Sequence, residues 1–179
     1  MGMLMSQPPA SLRPDPQGRD VLAGGLGGLA GGLLMSGAMT LGRRAGLLHR
    51  TLAEHAEDWL DDAFAMRGRI GRAGVALAEQ TTHLAASILF GAAYGAARRP
   101  FNVPPILAGT LYGAGLYAIN IVGIAPLIGL TRGEGREPPG VVAQRFAMHV
   151  LFGVATAMAT ERLIGNRPPE GAAAPTPYL

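Results

Sequence analysis

The sequence predicts an all-α polytopic membrane protein, on three observations. Its 179 residues are 49% hydrophobic and 15% charged, more apolar than a water-soluble domain of this size. Charge is absent from four windows, residues 21–42, 80–97, 100–131 and 146–160. Small residues recur at four-residue spacing in each window, which clears a groove along one face of a helix and lets helices approach closely in lipid. Together these predict four transmembrane helices packed through small-xxx-small faces, plus one amphipathic interfacial helix.

The first twenty residues form a tail with prolines at 8, 9, 14 and 16. They hold no basic cluster leading into an apolar core and no small-residue cleavage site, so residues 21–42 read as an uncleaved first span. A hydrocarbon core of about 30 Å needs about 20 helical residues, and this window supplies them. Gly24, Gly28 and Gly32 line one side of it. The same run contains Gly25-Leu-Gly-Gly-Leu-Ala30, which fits G-x-G-x-x-A, but no strand precedes it and no acidic residue follows at the required distance. The glycines are therefore assigned to packing.

Next comes a polar segment in which Leu48, Leu52, Ala56, Trp59, Ala63 and Met66 recur at steps of three and four, with Glu54, Asp58, Asp61 and Asp62 elsewhere on the wheel. The pattern predicts an amphipathic helix over about 46–66, lying on the membrane or capping the bundle. The second span is expected at 80–97, with Gly91 and Gly95. The third is expected at about 106–128, with Gly109 and Gly113, and Pro126 should end or kink it. The fourth, with Gly153, reaches spanning length only if extended to 143–162, which leaves Arg145 to snorkel to the interface. A Pro/Ala-rich tail, 166–179, follows.

All fifteen basic residues are arginine, and there is no cysteine. Disulfides, thiolate metal sites and cysteine nucleophiles are thereby excluded. The arginines sit singly or in pairs beside acidic residues, without the basic-aromatic stripe of a nucleic-acid binder, so no nucleic-acid partner is expected. Counted by side for four spans, nine arginines fall with the first and third connections and six with the other segments. The positive-inside rule then puts both termini outside a bacterial inner membrane.

Polar groups at membrane depth are the candidate functional residues: His83, Asn120 and His149. His83 precedes Arg98 by fifteen residues and His149 precedes Arg162 by thirteen, on helices running the same way. The imidazoles should therefore lie within about 3 Å in depth. Two imidazoles at one level can hydrogen-bond across helices, with Asn120 as partner, or ligate a haem or pigment. No G-x-S-x-G, Walker loop, H-E-x-x-H or Glu-x-x-His occurs, so neither catalysis nor a metal centre is expected.

His83 with Leu89-Phe-Gly-Ala-Ala-Tyr-Gly95, Gly109-x-x-Tyr112-Gly113, Asn120 with Gly123-Ile-Ala-Pro126, and Met148-His-Val-Leu-Phe-Gly153 resemble the YagU-like family of small multi-pass bacterial inner-membrane proteins. The resemblance spans roughly residues 21–165 and implies a protein of unestablished biochemical role, with His83, Asn120 and His149 as motif positions. The leading expectation is a non-catalytic accessory subunit in the lipid bilayer. It would dock onto a protein partner, or onto its own copies, through glycine faces, amphipathic helix or tails. A small-solute transporter or channel is the alternative, whose mark would be a polar cavity around Asn120 and the histidines. A carrier using His83 and His149 to hold haem or a pigment is the third; otherwise no cofactor is expected.

Overall fold

The computed structural model describes residues 15–46, 66–99 and 103–165, and these are helical apart from turns, with no strand among them. We label the helices α1 (Pro16–Arg44), α2 (Met66–Ala97), α3 (Pro105–Leu116), α4 (Ala125–Leu127) and α5 (Pro139–Gly165). A π-helical segment, Tyr117–Ile124, joins α3 to α4, and a 3-10 turn, Glu134–Arg136, precedes α5. Three helical stretches are long and apolar enough to cross a membrane: Pro16–Arg44, Pro105–Leu127 and Pro139–Gly165. Helix α2 is longer than any of them but opens its apolar part on Gln80-Thr-Thr-His83, which lowers its hydropathy. The expected amphipathic helix, from residue 47 to 65, and most of both tails lie outside the described residues.

Each boundary has a local cause. Helix α1 starts five residues before the predicted span, because the Asp15 carboxylate accepts from the amides of Gln17 (3.1 Å) and Gly18 (3.3 Å) while Pro16 occupies the first turn. Arg43 and Arg44 close its last turn, where cations suit the helix dipole. Helix α2 bends at Gly71, whose φ of 68° only glycine adopts readily. Pro126 does not break the third span abruptly. Ahead of it the helix widens, with the Ala125 amide bonding the Asn120 carbonyl one residue further back than in an α-helix, and the chain ends its helix at Leu127.

Helix α1 packs along α2 and along α5, and α5 along α3, while α2 and α3 scarcely approach at the backbone. Glycine sets the first three contacts. A Cβ on Gly91 would lie 2.5 Å from Gly28 Cα, one on Gly24 2.8 Å from Gly95 Cα, and one on Gly153 2.8 Å from Gly113 Cα. A Cβ on Gly109 would meet Val154 Cα at 2.5 Å, and one on Gly32 would meet Ser87 Cβ at 2.7 Å. Large aliphatic side chains point the other way: Leu22, Leu89 and Leu127 are 72%, 68% and 85% exposed. Small residues inside and leucines outside reverse the water-soluble pattern and fit lipid surroundings.

The packing repeats. Gly24 and Gly28 pinch Gly91, and Gly109 and Gly113 pinch Gly153 in the same way. The sequence repeats with it: VLAGGLGG at 21–28 matches ILAGTLYG at 106–113 at five of eight positions, and LFGAAYGA at 89–96 matches LFGVATAM at 151–158 at four of eight. The hairpin α1–α2 therefore has a counterpart in α3–α5, with both first helices starting at the same end of the bundle.

Candidate functional site

His83, Asn120 and His149 line one cavity of about 270 Å³, together with Arg145 and the apolar side chains of Met35, Phe90 and Phe152 among others. The structure thus gathers residues from α1, α2, the π-helical segment, α5 and the loop before it. His83 sits in the polar opening of α2's apolar part, where Gln80 Nε2 donates to Ser36 Oγ of α1 (3.2 Å) and Ser87 Oγ donates to the His83 carbonyl (2.8 Å). The His83 Nε2 is buried without a protein partner among the described residues. His149 Nδ1 bonds the Arg145 carbonyl at 2.8 Å, and its ring meets Tyr117 edge-on, with centroids 5.8 Å apart. Asn120 is the cross-helix partner the sequence offers the histidines; at His149, Nδ1 bonds its own helix instead. Asn120 owes its position to the π-helical segment, which shifts the register of the face it presents.

Arg145 is a correction. Rather than snorkelling, it is 5% exposed and inside the bundle. Helix α5 begins at Pro139, which carries Arg145 well within the helix, and the 3-10 turn folds two carboxylates back over it. Its Nη1 donates to Glu134 Oε1 at 2.5 Å and its Nη2 to Glu137 Oε1 at 3.4 Å. Tyr117 donates to the second Glu134 oxygen at 2.6 Å. The Arg145 Nε is buried with no partner among the described residues. Arginine's planar fork suits this two-carboxylate arrangement, in which its charge is fully met.

A second cavity, of about 250 Å³, lies toward the opposite end of α2 and α3, lined by Tyr94, Arg98, Tyr112 and Glu161 among others. Here too the cation is paired. Arg98 donates to both Glu161 oxygens, at 2.7 and 2.6 Å, and to Asp20 at 3.3 Å, while Arg99 donates to Asp20 at 2.7 Å. The hydrogen bond from Arg98 to Glu161 raises the arginine pKa above its ordinary value. The cluster ties the start of α1, the end of α2 and the end of α5 together. Glu161→Gln should lower stability by about 2 kcal/mol, the scale of a hydrogen bond to a charged group, read as a lower melting temperature in detergent.

Two of the second cavity's lining residues are tyrosines in ring contact. Tyr94 and Tyr112 have ring centroids 5.2 Å apart and an interplanar angle of 60°, and the Tyr112 hydroxyl donates to the Phe90 carbonyl at 2.6 Å. Among the described residues no group of three or more His, Cys, Asp or Glu side chains is placed to hold a metal ion. The second cavity and the Arg145 network were missed from sequence. For the cavity the repeat was the available signal, since aligning ILAGTLYG with VLAGGLGG sets Tyr112 where the first hairpin has glycine. Comparison with protein-family models, characterised proteins and solved structures finds no match to this chain.

Proposed function

We propose that the chain is a four-span membrane protein, its helices packed through small-xxx-small faces, that binds and passes a small uncharged solute through its bundle. The observation that carries this reading is the cavity shared by His83, Asn120, His149 and Arg145, in which two buried polar atoms, His83 Nε2 and Arg145 Nε, lack partners among the described residues. Buried polar atoms are almost always hydrogen-bonded, so a bound molecule with a hydroxyl or amide group is the natural occupant. Arg145 is paired with both Glu134 and Glu137, so an anionic solute meets no free cation from it. The second hairpin repeats the first, and membrane carriers built from repeats bind their solutes at the repeat interface.

Proteoliposomes test this by light scattering with glycerol and urea as probes. Passage above that of empty vesicles is expected, reduced about tenfold by Asn120→Leu or His83→Leu, the effect of losing one buried hydrogen bond of roughly 1.4 kcal/mol. Equal rates with and without protein would overturn it.

The haem or pigment reading draws support from one geometric detail. If Nδ1 of His149 donates to the Arg145 carbonyl, the ring's other nitrogen is left as an acceptor, as in metal-bound histidines. A Soret band in protein purified in mild detergent would favour it, and a colourless preparation would remove it. The accessory-subunit reading draws less, because Gly24, Gly28, Gly91, Gly109, Gly113 and Gly153 face partners within the chain itself. Membership of the YagU-like family belongs to the same proposal and rests on the sequence motifs around His83, Asn120 and His149.

A further inference from the structure

We propose that the two cavities are the ends of one path along the seam between α2 and α3, and that Tyr112 is the gate between them. The inference rests on the solute-passage reading and adds where the solute crosses. Along α2 the first cavity takes His83 to Phe90 and the second Tyr94 to Arg98; along α3 and its continuation the order is the same, with Asn120 in the first and Tyr112 in the second. The cavities therefore lie in series on a single seam.

The repeat explains why this seam is open. Exchanging the two hairpins maps the α1/α5 seam onto the α3/α2 seam. In the first, Gly27 and Gly31 lie against Thr156, Thr160 and the Phe152 carbonyl, so closely that a Cβ on Gly27 would sit 2.8 Å from the Thr156 carbonyl oxygen and one on Gly31 3.0 Å from that of Phe152. Thr156 and Thr160 are fully buried there. In the second, the matching positions carry Tyr112 for Gly27, Leu116 for Gly31, Tyr94 for Thr156 and Arg98 for Thr160. Two rings stand where the other seam has a glycine and a threonine, and they hold the helices apart. Both rings line the second cavity, and the Tyr112 hydroxyl reaches Phe90 of the first, so a path joining the two passes the rings.

The Tyr112 hydroxyl fixes its own ring by donating to the Phe90 carbonyl. The Phe90 carbonyl is the acceptor in this bond, so breaking it leaves only the tyrosine hydroxyl to find a new partner, such as the passing solute. The tyrosine is thus a side-chain latch on a rigid frame. Both ends of the path carry an arginine already paired with carboxylates, so neither mouth offers a free cation to an anionic solute.

The native chain lacks cysteine, so single thiols report on the path without background. Ala86 lines the first cavity and Ala108 the second. In intact cells and inverted vesicles treated with a membrane-impermeant methanethiosulfonate, the Ala86→Cys and Ala108→Cys thiols are expected to react from opposite faces. Adding Tyr112→Gly, the residue of the matching position, should open the Ala86→Cys thiol to the other face, with labelling at least about tenfold faster there. Tyr112→Phe keeps the ring and removes only the latch, and should speed glycerol passage about tenfold, the equivalent of a hydrogen bond of roughly 1.4 kcal/mol. Labelling that never crosses in Tyr112→Gly, with glycerol rates unchanged in Tyr112→Phe, overturns the gate whether or not the wild type passes glycerol. Labelling that crosses while glycerol does not pass upholds the path and overturns the solute reading instead.

Discussion

Gly91→Leu is expected to unfold the bundle. The Cβ it adds would lie 2.5 Å from Gly28 Cα, a backbone atom that no rotamer change can move aside. Relief requires α1 and α2 to separate along their shared length, and with them the Gly24 contact to Gly95 one turn away. Overpacking a core usually costs about 1–3 kcal/mol, but here two helices must part, and a loss of more than about 4 kcal/mol is expected. The readout is the melting temperature and the gel-filtration profile in detergent, where Gly91→Leu should give aggregate. Gly153→Leu should match it, because the Cβ there would sit 2.8 Å from Gly113 Cα in the second hairpin. Gly37→Ala supplies the contrast. Nothing lies within 4 Å of its added methyl, and alanine favours the helix by up to about 1 kcal/mol, so it should be neutral or slightly stabilising. A Gly91→Leu protein as stable as Gly37→Ala would remove close backbone contact as the basis of the fold.

The difference between those glycines shows what the sequence makes legible. Four-residue spacing marks which face of a helix is clear, and Gly24, Gly28, Gly91 and Gly95 could be named from it. Spacing does not say which helix fills the groove, since Gly27 and Gly31 have the same spacing yet meet α5 rather than α2. His83, Asn120 and His149 were legible as a group because polar side chains at membrane depth are costly and so turn inward. Their company was not. Arg145 looked interfacial while α5 was taken to start near residue 143; the earlier start at Pro139, and a turn that brings Glu134 and Glu137 back over the helix, bury it. The π-helical register of Asn120 was also hidden, since the sequence shows Pro126 but not how the preceding turns absorb it. The repeat lies in the sequence too, at a separation far longer than a helical period.

Arg145 gives the second large effect, and its variants separate charge from packing. Arg145→Met leaves Glu134 with its Tyr117 hydrogen bond but no cation, and Glu137 without the bond it has from the guanidinium. Removing one partner of a buried pair strands the other, and a loss of about 3–5 kcal/mol is expected. Arg145→Lys keeps the charge and loses the planar fork, so it should fall between Arg145→Met and the wild type. The informative protein is the triple variant Arg145→Met, Glu134→Gln, Glu137→Gln. It has no stranded charge, and a glutamine at 134 still offers an amide oxygen to the Tyr117 hydroxyl. Exchanging a whole buried ion pair for neutral groups is often nearly neutral in stability, so the triple variant should recover most of what Arg145→Met loses, as seen by thermal unfolding in detergent. Its solute passage should not recover with it, because the unpartnered Arg145 Nε is one of the two polar atoms on which solute binding is built. Stability restored together with full passage would mean that Arg145 only holds the loop over the cavity. Stability restored with passage lost would assign it to the site.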